Sequence, residues 1–354
     1  MSVVYKKLED VCEILDSRRV PITAKDRKAG AFPYYGANGL QDYVADYIFD
    51  DELVLLAEDG GNFGSKERPI AYRVSGKCWV NNHAHVLKAK PNMHVDYLCY
   101  ALMFYDTEGL VNGATRQKLT QAAMRQMVIP YRDMTEQLQI IEKISQIVRA
   151  IEKRKEELQL LDQLVKSRFI ELFGDYDLTH PQESWATIKE VGTVVGGATP
   201  KTDHDEYWGG SYRWITPAEL DADSGYIYDS VRKLTKAGVE SCSLQEMPVG
   251  TVILSSRAPI GKVAIAGNTF YCNQGFKNII CKEGITPRYL YTVLLLNVEY
   301  LNSLGRGATF KEISKGIVES IRIPVPSMEL QEQFAAFVEQ TDKSKLCGKM
   351  EVAA

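Results

Sequence analysis

The stretch "GATRQKL" at residues 113–119 returns as "GATFKEI" at residues 307–313. The first copy continues through Met127-Val128-Ile129-Pro130 and Met134 to Gln137. The second continues through Ile321-Arg322-Ile323-Pro324 and Met328 to Gln331. One offset of 194 residues aligns Gly113 with Gly307, Ile129 with Ile323, Pro130 with Pro324 and Gln137 with Gln331, without a gap. A match of that length marks an internal duplication, and missing a repeat miscalls the fold.

Upstream of these stretches the parallel continues. "KLEDVCEILDSRRVPIT" (7–23) matches "TIKEVGTVVGGATPKT" (187–202), and "ELVLLAEDGG" (52–61) matches "GTVILSSRAP" (250–259). "CWVNNHAHVLK" (78–88) matches "FYCNQGFKNII" (270–280), and "VDYLCYAL" (95–102) matches "PRYLYTVL" (287–294). The offset opens at 180 and closes at 194, so the second copy is about fourteen residues longer. Apolar, β-rich runs breaking into polar loops predict strands. Each copy therefore reads as a mixed, strand-rich α+β module.

Between the copies the pattern changes. From Thr135 to Gly174 there is neither proline nor glycine until the last residue. Ile144, Ile151, Leu158, Val165 and Leu172 recur at intervals of seven. Ile140, Ile147 and Leu161 form a second row, interrupted by Arg154 and Arg168. This predicts a long helix with a coiled-coil-type seam, about 60 Å long at 1.5 Å per residue. Gly174 stands where a helix-ending glycine belongs. A second helix starts near Glu329 and puts Phe334 and Val338 on the seam positions of Ile140 and Ile144. Lys345 then occupies the place of Ile151, so this helix is expected to be cut to less than half the length of the first. The resulting division is 1–134 and 176–327 for the modules, 135–175 for the spacer helix and 328–354 for the shortened second helix. The distal stripe of Ile151, Leu158, Leu161, Val165 and Leu172 then lacks a cover. It is expected to pair with another chain, either a second copy or a partner subunit, because a large apolar stripe does not stay in water.

A chain of 354 residues suits two or three domains. Seven cysteines, an odd number without a C-x-x-C pair, predict reduced thiols and a cytoplasmic location. The N-terminus lacks the apolar core of a signal peptide, and the apolar windows are too short to cross a bilayer. No membrane association is expected. The net charge of −4 lacks the basic excess usual in nucleic-acid binders. Acids and bases nearly balance within each copy, so charge placement matters more than its sum.

Catalytic motifs are missing. There is no D/N-P-P-Y/F loop for adenine methylation and no G-x-x-x-x-G-K-[ST] phosphate loop. Asp26-Arg27-Lys28, the one acid-x-Lys triplet, lies in a turn-like polar stretch. His83 and His85 would face one side of a strand, with His94 nearby, but a zinc site needs three or four ligands and a supporting shell. Hydrogen-bonding strand histidines are the better reading, and no metal is expected.

Polar and aromatic residues on loops remain. "FPYYGANGL" (32–40) offers Tyr34, Tyr35 and Asn38, and "GGSYRWITP" (209–217) offers Arg213 and Trp214. "SSRAPIG" (255–261) offers Arg257, with Lys277 on the matching stretch that follows. The Gly-Ala-Thr loops offer Thr115, Arg116, Gln117 and Lys118 in one copy, and Arg306, Thr309 and Lys311 in the other. Arg, Lys, Asn and Gln read base edges in the major groove, while Ser, Thr and Lys hold phosphates.

With "YYGANG", "AEDGG", "NNHAH" and the duplicated Gly-Ala-Thr…Pro…Gln closure in this order, the chain resembles the DNA specificity subunit of Type I restriction-modification systems. The resemblance implies two target recognition domains separated by coiled-coil-type helices in a pseudo-two-fold arrangement. Each domain would read one half of a split, asymmetric site in double-stranded DNA. It also implies two methyltransferase subunits docked on the helices, together with restriction subunits. S-adenosylmethionine, ATP and Mg would belong to those partners, leaving this chain non-catalytic and without a cofactor. Two other classes stay open: a single-chain DNA-modifying enzyme with recognition modules, and a protein-binding scaffold that uses no DNA.

Overall fold

The computed structural model describes residues 3–113, 116–220, 225–257, 259–307 and 311–353, with side chains as far as 346. The chain divides into two compact units, Met1–Glu152 and Lys153–Ala354.

In the first unit the strand Val4–Lys7 pairs antiparallel with Val128–Tyr131, Val4 opposite Tyr131. The chain thus enters and leaves the module through one two-stranded ribbon. The main sheet has six strands, in the order Cys12–Ile14, Ala84–Ala89, Phe49–Ala57, Ala71–Val80, Ala29–Gly36 and Gly39–Val44. From Leu53 to Ala57 every residue of the middle strand is buried. An unbroken apolar run in a strand means that both faces are covered, because successive side chains point to opposite sides. Val54 and Leu56 pack with Leu98 and Leu102 of the helix Val95–Met103. Leu53 and Leu55 pack on the other face with Phe49, Val74 and Val86. All pairings are antiparallel except Ala29–Gly36 with Ala71–Val80, where Tyr34 lies opposite Trp79.

The second unit repeats the ribbon, Ala186–Thr187 pairing with Arg322–Ile323. Its strands form two sheets. One has five strands, Gly192–Val195, Asn278–Cys281, Val252–Leu254, Val263–Ala266 and Tyr226–Ile227; the other has three, Arg232–Leu234, Trp208–Ile215 and Tyr271–Cys272. The parallel contact recurs, with Trp214 opposite Tyr271.

The duplication holds at single hydrogen bonds. The Gln137 carboxamide accepts from the His94 N–H at 2.8 Å and donates to the carbonyls of Asn92 at 3.0 Å and Arg132 at 2.8 Å. Gln331 accepts from the Thr286 N–H at 2.8 Å and donates to the carbonyls of Gly284 at 3.0 Å and Pro326 at 2.9 Å. Both glutamines are fully buried. Each ties the start of a long helix to the loop before a shorter one.

The central helix runs Met134–Phe173, 40 residues. Ile140 and Ile141 of its early turns lean on the first unit's core. In the second unit, Phe169 and Phe173 of its last turns are buried beside Tyr289 and Phe334, with ring centroids 4.9–5.7 Å apart. Gly174 follows at φ +89, a conformation glycine adopts without a Cβ clash.

The C-terminal helix spans Met328–Ala353, 26 residues, which corrects the expectation of a helix under half the length of the first. It does not fail at Lys345, whose Nζ lies 2.5 Å from an Asp162 carboxylate oxygen. Phe334 against Phe169 and Lys345 against Asp162 set the two helices antiparallel within this unit. Val165 and Leu172 rest on the core that contains Phe334 and Val338, so these two seam residues are covered by their own chain. A foreign partner for the whole stripe is therefore not required. Ile144, Ile151, Leu158 and Leu161 are half-buried, while Ile147, Leu160 and Leu164 are exposed. No helix among the described residues is long and apolar enough to cross a membrane.

Candidate nucleic-acid interface

Both Gly-Ala-Thr loops hang from equivalent backbone brackets. In the first module Val111–Asn112 pairs with Lys118–Leu119, Asn112 opposite Lys118. In the second, Arg306 and Glu312 exchange backbone hydrogen bonds at 3.0 and 3.1 Å. Gly113 has φ +101 and Gly307 has φ +130. A Cβ on Gly113 would stand 2.4 Å from the Arg116 carbonyl oxygen, so this corner needs glycine. The chain then docks on the loop that leaves the buried strand. Leu119 N–H donates to Glu58 O at 2.7 Å in one module, and Ile313 N–H donates to Ser256 O at 3.0 Å in the other.

Side chains around this shared frame invert their charges. Asp59 and Lys118 face each other in a backbone β-bridge in the first module, and at the same repeat positions Arg257 and Glu312 do so in the second. Arg116 Nη2 lies 2.6 Å from Asp59 Oδ1, which also holds His83 Nδ1 at 2.7 Å, and Lys118 Nζ meets Glu58 at 3.0 Å. In the second module Glu312 holds Lys277 at 3.1 Å and Arg257 at 3.6 Å.

Behind the first module's loop lies a buried ionic cluster. His85 is fully buried; Nδ1 is 2.6 Å from Asp16 Oδ2 and Nε2 is 2.9 Å from the Leu119 carbonyl. Val86 N–H and Gln121 also donate to Asp16, and Arg19 pairs with Glu58 at 2.6 Å. Burial opposes ionisation of Asp16. The hydrogen bond and charge of His85, with the Val86 and Gln121 bonds, outweigh it and hold the carboxyl below its ordinary range. Glu58 is likewise held low, burial being outweighed by the bonds from Arg19 and Lys118. Asp16, Glu58 and His85 lie close enough together to ligate one cation. Both His85 ring nitrogens face oxygen acceptors and Glu58 already carries two cationic partners, so the trio serves as a clamp on strand, loop and hairpin.

The structure separates the sequence candidates. Arg116, Gln117 and Lys118 are exposed beside one loop, and Arg306 and Lys311 beside the other. Asn38 is exposed, and its carboxamide donates to Gly60 O at 3.0 Å in the same corner as Arg116. Arg257 borders the second loop, and Arg213 pairs with Asp229 at 3.1 Å. Thr115 and Thr309 lie outside the described residues. Two candidates, Tyr34 and Trp214, turn inward, and a base contact by them is corrected accordingly, whereas Lys277 is half-buried. Tyr34 is 1% exposed and lies beneath Arg27. Trp214 is 2% exposed, and its indole N–H donates to Ala198 O at 3.1 Å. Lys277 is held between Ser256 Oγ and Glu312. Tyr35 is half-buried against Tyr72, at a centroid distance of 5.9 Å. Sequence reasoning missed Asp16, Arg19, Glu58, Asp59 and Glu312. The legible signal was the acid–base exchange between Asp59/Lys118 and Arg257/Glu312 across the two copies.

Comparison with known proteins places this architecture. The family model for the Type I restriction modification DNA specificity domain matches residues 2–161 and again 182–348. The MjaIX specificity subunit of Methanocaldococcus jannaschii is 42% identical over 185 residues, 51% of this chain and 43% of that protein. The EcoR124I/EcoR124II specificity subunit of Escherichia coli is 25% identical over 311 residues, 83% of this chain and 72% of that one. The match spans less than half the length of the M. jannaschii protein and 36% of a Haemophilus influenzae relative. The solved S subunit from M. genitalium superposes with a TM-score of 0.58 at 14% identity, covering 100% of this chain and 92% of that one, and so shares its fold. Two matched segments that together cover most of the chain decide the matter: the chain belongs to the Type I restriction modification DNA specificity domain family.

Proposed function

We propose that the chain is the sequence-reading subunit of a Type I restriction-modification assembly. Each module reads one half of a split site in double-stranded DNA, and the differing side chains on the two loops make the halves unlike. The observation that carries this reading is one backbone bracket, built twice and dressed with different, even charge-inverted, side chains. A constant frame with variable contacts is what half-site recognition by paired modules requires. Adenine methylation with S-adenosylmethionine, and cleavage driven by ATP and Mg, are assigned to partners. Methyltransferase subunits would bind along the helices, where Ile147, Leu160 and Leu164 are exposed, and restriction subunits would join that complex. Self-association through Leu160 and Leu164 is the competing use of this helix. A cytoplasmic location follows from this role.

The test mixes the purified chain with the methyltransferase encoded beside it. Sequence-specific adenine methylation should appear in the mixture and not with either protein alone. DNA affinity should fall linearly in log–log form as salt rises, with a slope of roughly −0.9 per phosphate contacted. Affinity without sequence preference, or turnover by the chain alone, refutes the assignment.

A further inference from the structure

One arginine in each module borders the Gly-Ala-Thr bracket and faces an acid: Arg116 is exposed and hydrogen-bonded to Asp59, and Arg257 is half-buried and ion-paired with Glu312. Arg116 keeps 61% of its side chain exposed although its Nη2 sits 2.6 Å from Asp59. It lies over Gly60, a glycine at φ +64 where an added Cβ would come 3.2 Å from Arg116 Nε. Arg257 stands at the repeat position of Asp59, 36% exposed, with its Nη1 3.6 Å from Glu312. The two arginines thus approach the same β-bridge from opposite strands.

Stability does not account for either pair. Exposed ion pairs contribute little, about 0–1 kcal/mol. Asp59 keeps His83 without Arg116, and Glu312 keeps Lys277, at the shorter distance, without Arg257. Anchoring does matter for recognition. A guanidinium fixed on one edge loses less rotamer freedom when its remaining donors bind a planar acceptor pair. The commonest such pair on duplex DNA is O6 and N7 of guanine in the major groove.

We propose that Arg116 and Arg257 are guanine-reading residues, one in each module, and that Asp59 and Glu312 position them. This rests on the DNA-reading function above and makes it more specific: each half-site contains a G·C pair whose recognition depends on one of these arginines. The two reading groups stand at different repeat positions on one backbone frame: Arg116 lies on the hairpin, two residues before the bridge residue Lys118, and Arg257 lies on the loop of the buried strand, in the bridge itself.

The test selects binding sites from a randomised duplex pool, using the full chain in complex with its methyltransferase. Wild type is compared with Arg116→Ala, Arg116→Lys, Arg257→Ala and Arg257→Lys. Wild type should enrich a split site with a G·C pair in each half. Arg116→Ala should lower discrimination at one G·C position of one half by about 5- to 150-fold, leaving the other half intact. Arg257→Ala should do the same in the other half. The lysine variants should keep affinity for non-specific DNA yet lose the discrimination, because lysine lacks the planar fork. Uniform weakening on all sequences, unchanged discrimination, or loss in both halves at once overturns the proposal. No enriched site for wild type removes the DNA-reading function itself, and this proposal with it.

Discussion

Gln137→Ala and Gln331→Ala probe the duplication where it is most exact in geometry. Each substitution removes a fully buried carboxamide and leaves one backbone N–H and two carbonyls without their partner. An unsatisfied buried polar group costs about 1–3 kcal/mol. Water entering the vacated space offsets part of that for three groups at a helix start, so about 3–5 kcal/mol per module is expected. Divided by a slope near 2 kcal/mol per molar urea, this lowers the unfolding midpoint of the affected unit by roughly 2 M. The assay is equilibrium urea unfolding of the full chain, followed by far-UV circular dichroism. Gln137→Glu and Gln331→Glu add a control. A carboxylate still accepts from the N–H but opposes both carbonyls, so these variants should be less stable than wild type and recover partly as the pH falls, beginning above the ordinary glutamate range because burial and the two carbonyls favour the acid, which can donate. Midpoint shifts below about 0.5 M in both alanine variants, or a large shift in one copy and none in the other, would refute the idea that the two braces do equal work.

Two other outcomes follow from buried groups. Asp16 is held low in the fold, so between its unfolded and folded pKa the folded chain binds fewer protons. Its contribution is full above about pH 4 and is lost as the pH falls through the folded value; Asp16→Asn should therefore be less stable than wild type at pH 7 and lose less on acidification, measured by urea titrations at both pH values. Among the described cysteines, burial pushes Cys12, Cys99, Cys272 and Cys281 up to about 12 and Cys78 up to about 11. In a timed disulfide-reagent reaction at pH 8 followed by peptide mapping, half-exposed Cys242 should react well before buried Cys12, Cys78, Cys99 and Cys272; equal rates would show that the cores open readily.

The duplication and the long helix were legible because both are local patterns: an ungapped offset in one case and a seven-residue period in the other. Contacts made over long sequence distances were not. Tyr34 and Trp214 look like loop aromatics next to turn glycines, yet parallel pairing with Trp79 and Tyr271 brings each strand into a sheet and buries the ring. His85 finds Asp16 from 69 residues away, a partnership no spacing rule reveals. The second helix misled for a different reason. A broken apolar seam at Lys345 marks the end of apolar packing, and the helix continues because an ion pair with Asp162 takes over. Phe169 and Phe173 lie off the seven-residue row and still carry more of the burial than the seam leucines, since a module core, rather than a second helix alone, receives them.

Each module begins and ends on paired strands, Val4–Lys7 with Val128–Tyr131 and Ala186–Thr187 with Arg322–Ile323. Entry and exit therefore stand one strand spacing apart, about 5 Å. To the rest of the chain, everything between those strands is an insertion whose ends nearly touch. Such a segment can be excised and replaced in the gene by another of different length without stretching what remains, provided the ribbon and the glutamine brace are kept. The difference of about fourteen residues between the two copies shows this tolerance within one chain. Crossovers within the short stretches that encode the ribbons would exchange whole modules without disturbing the helices.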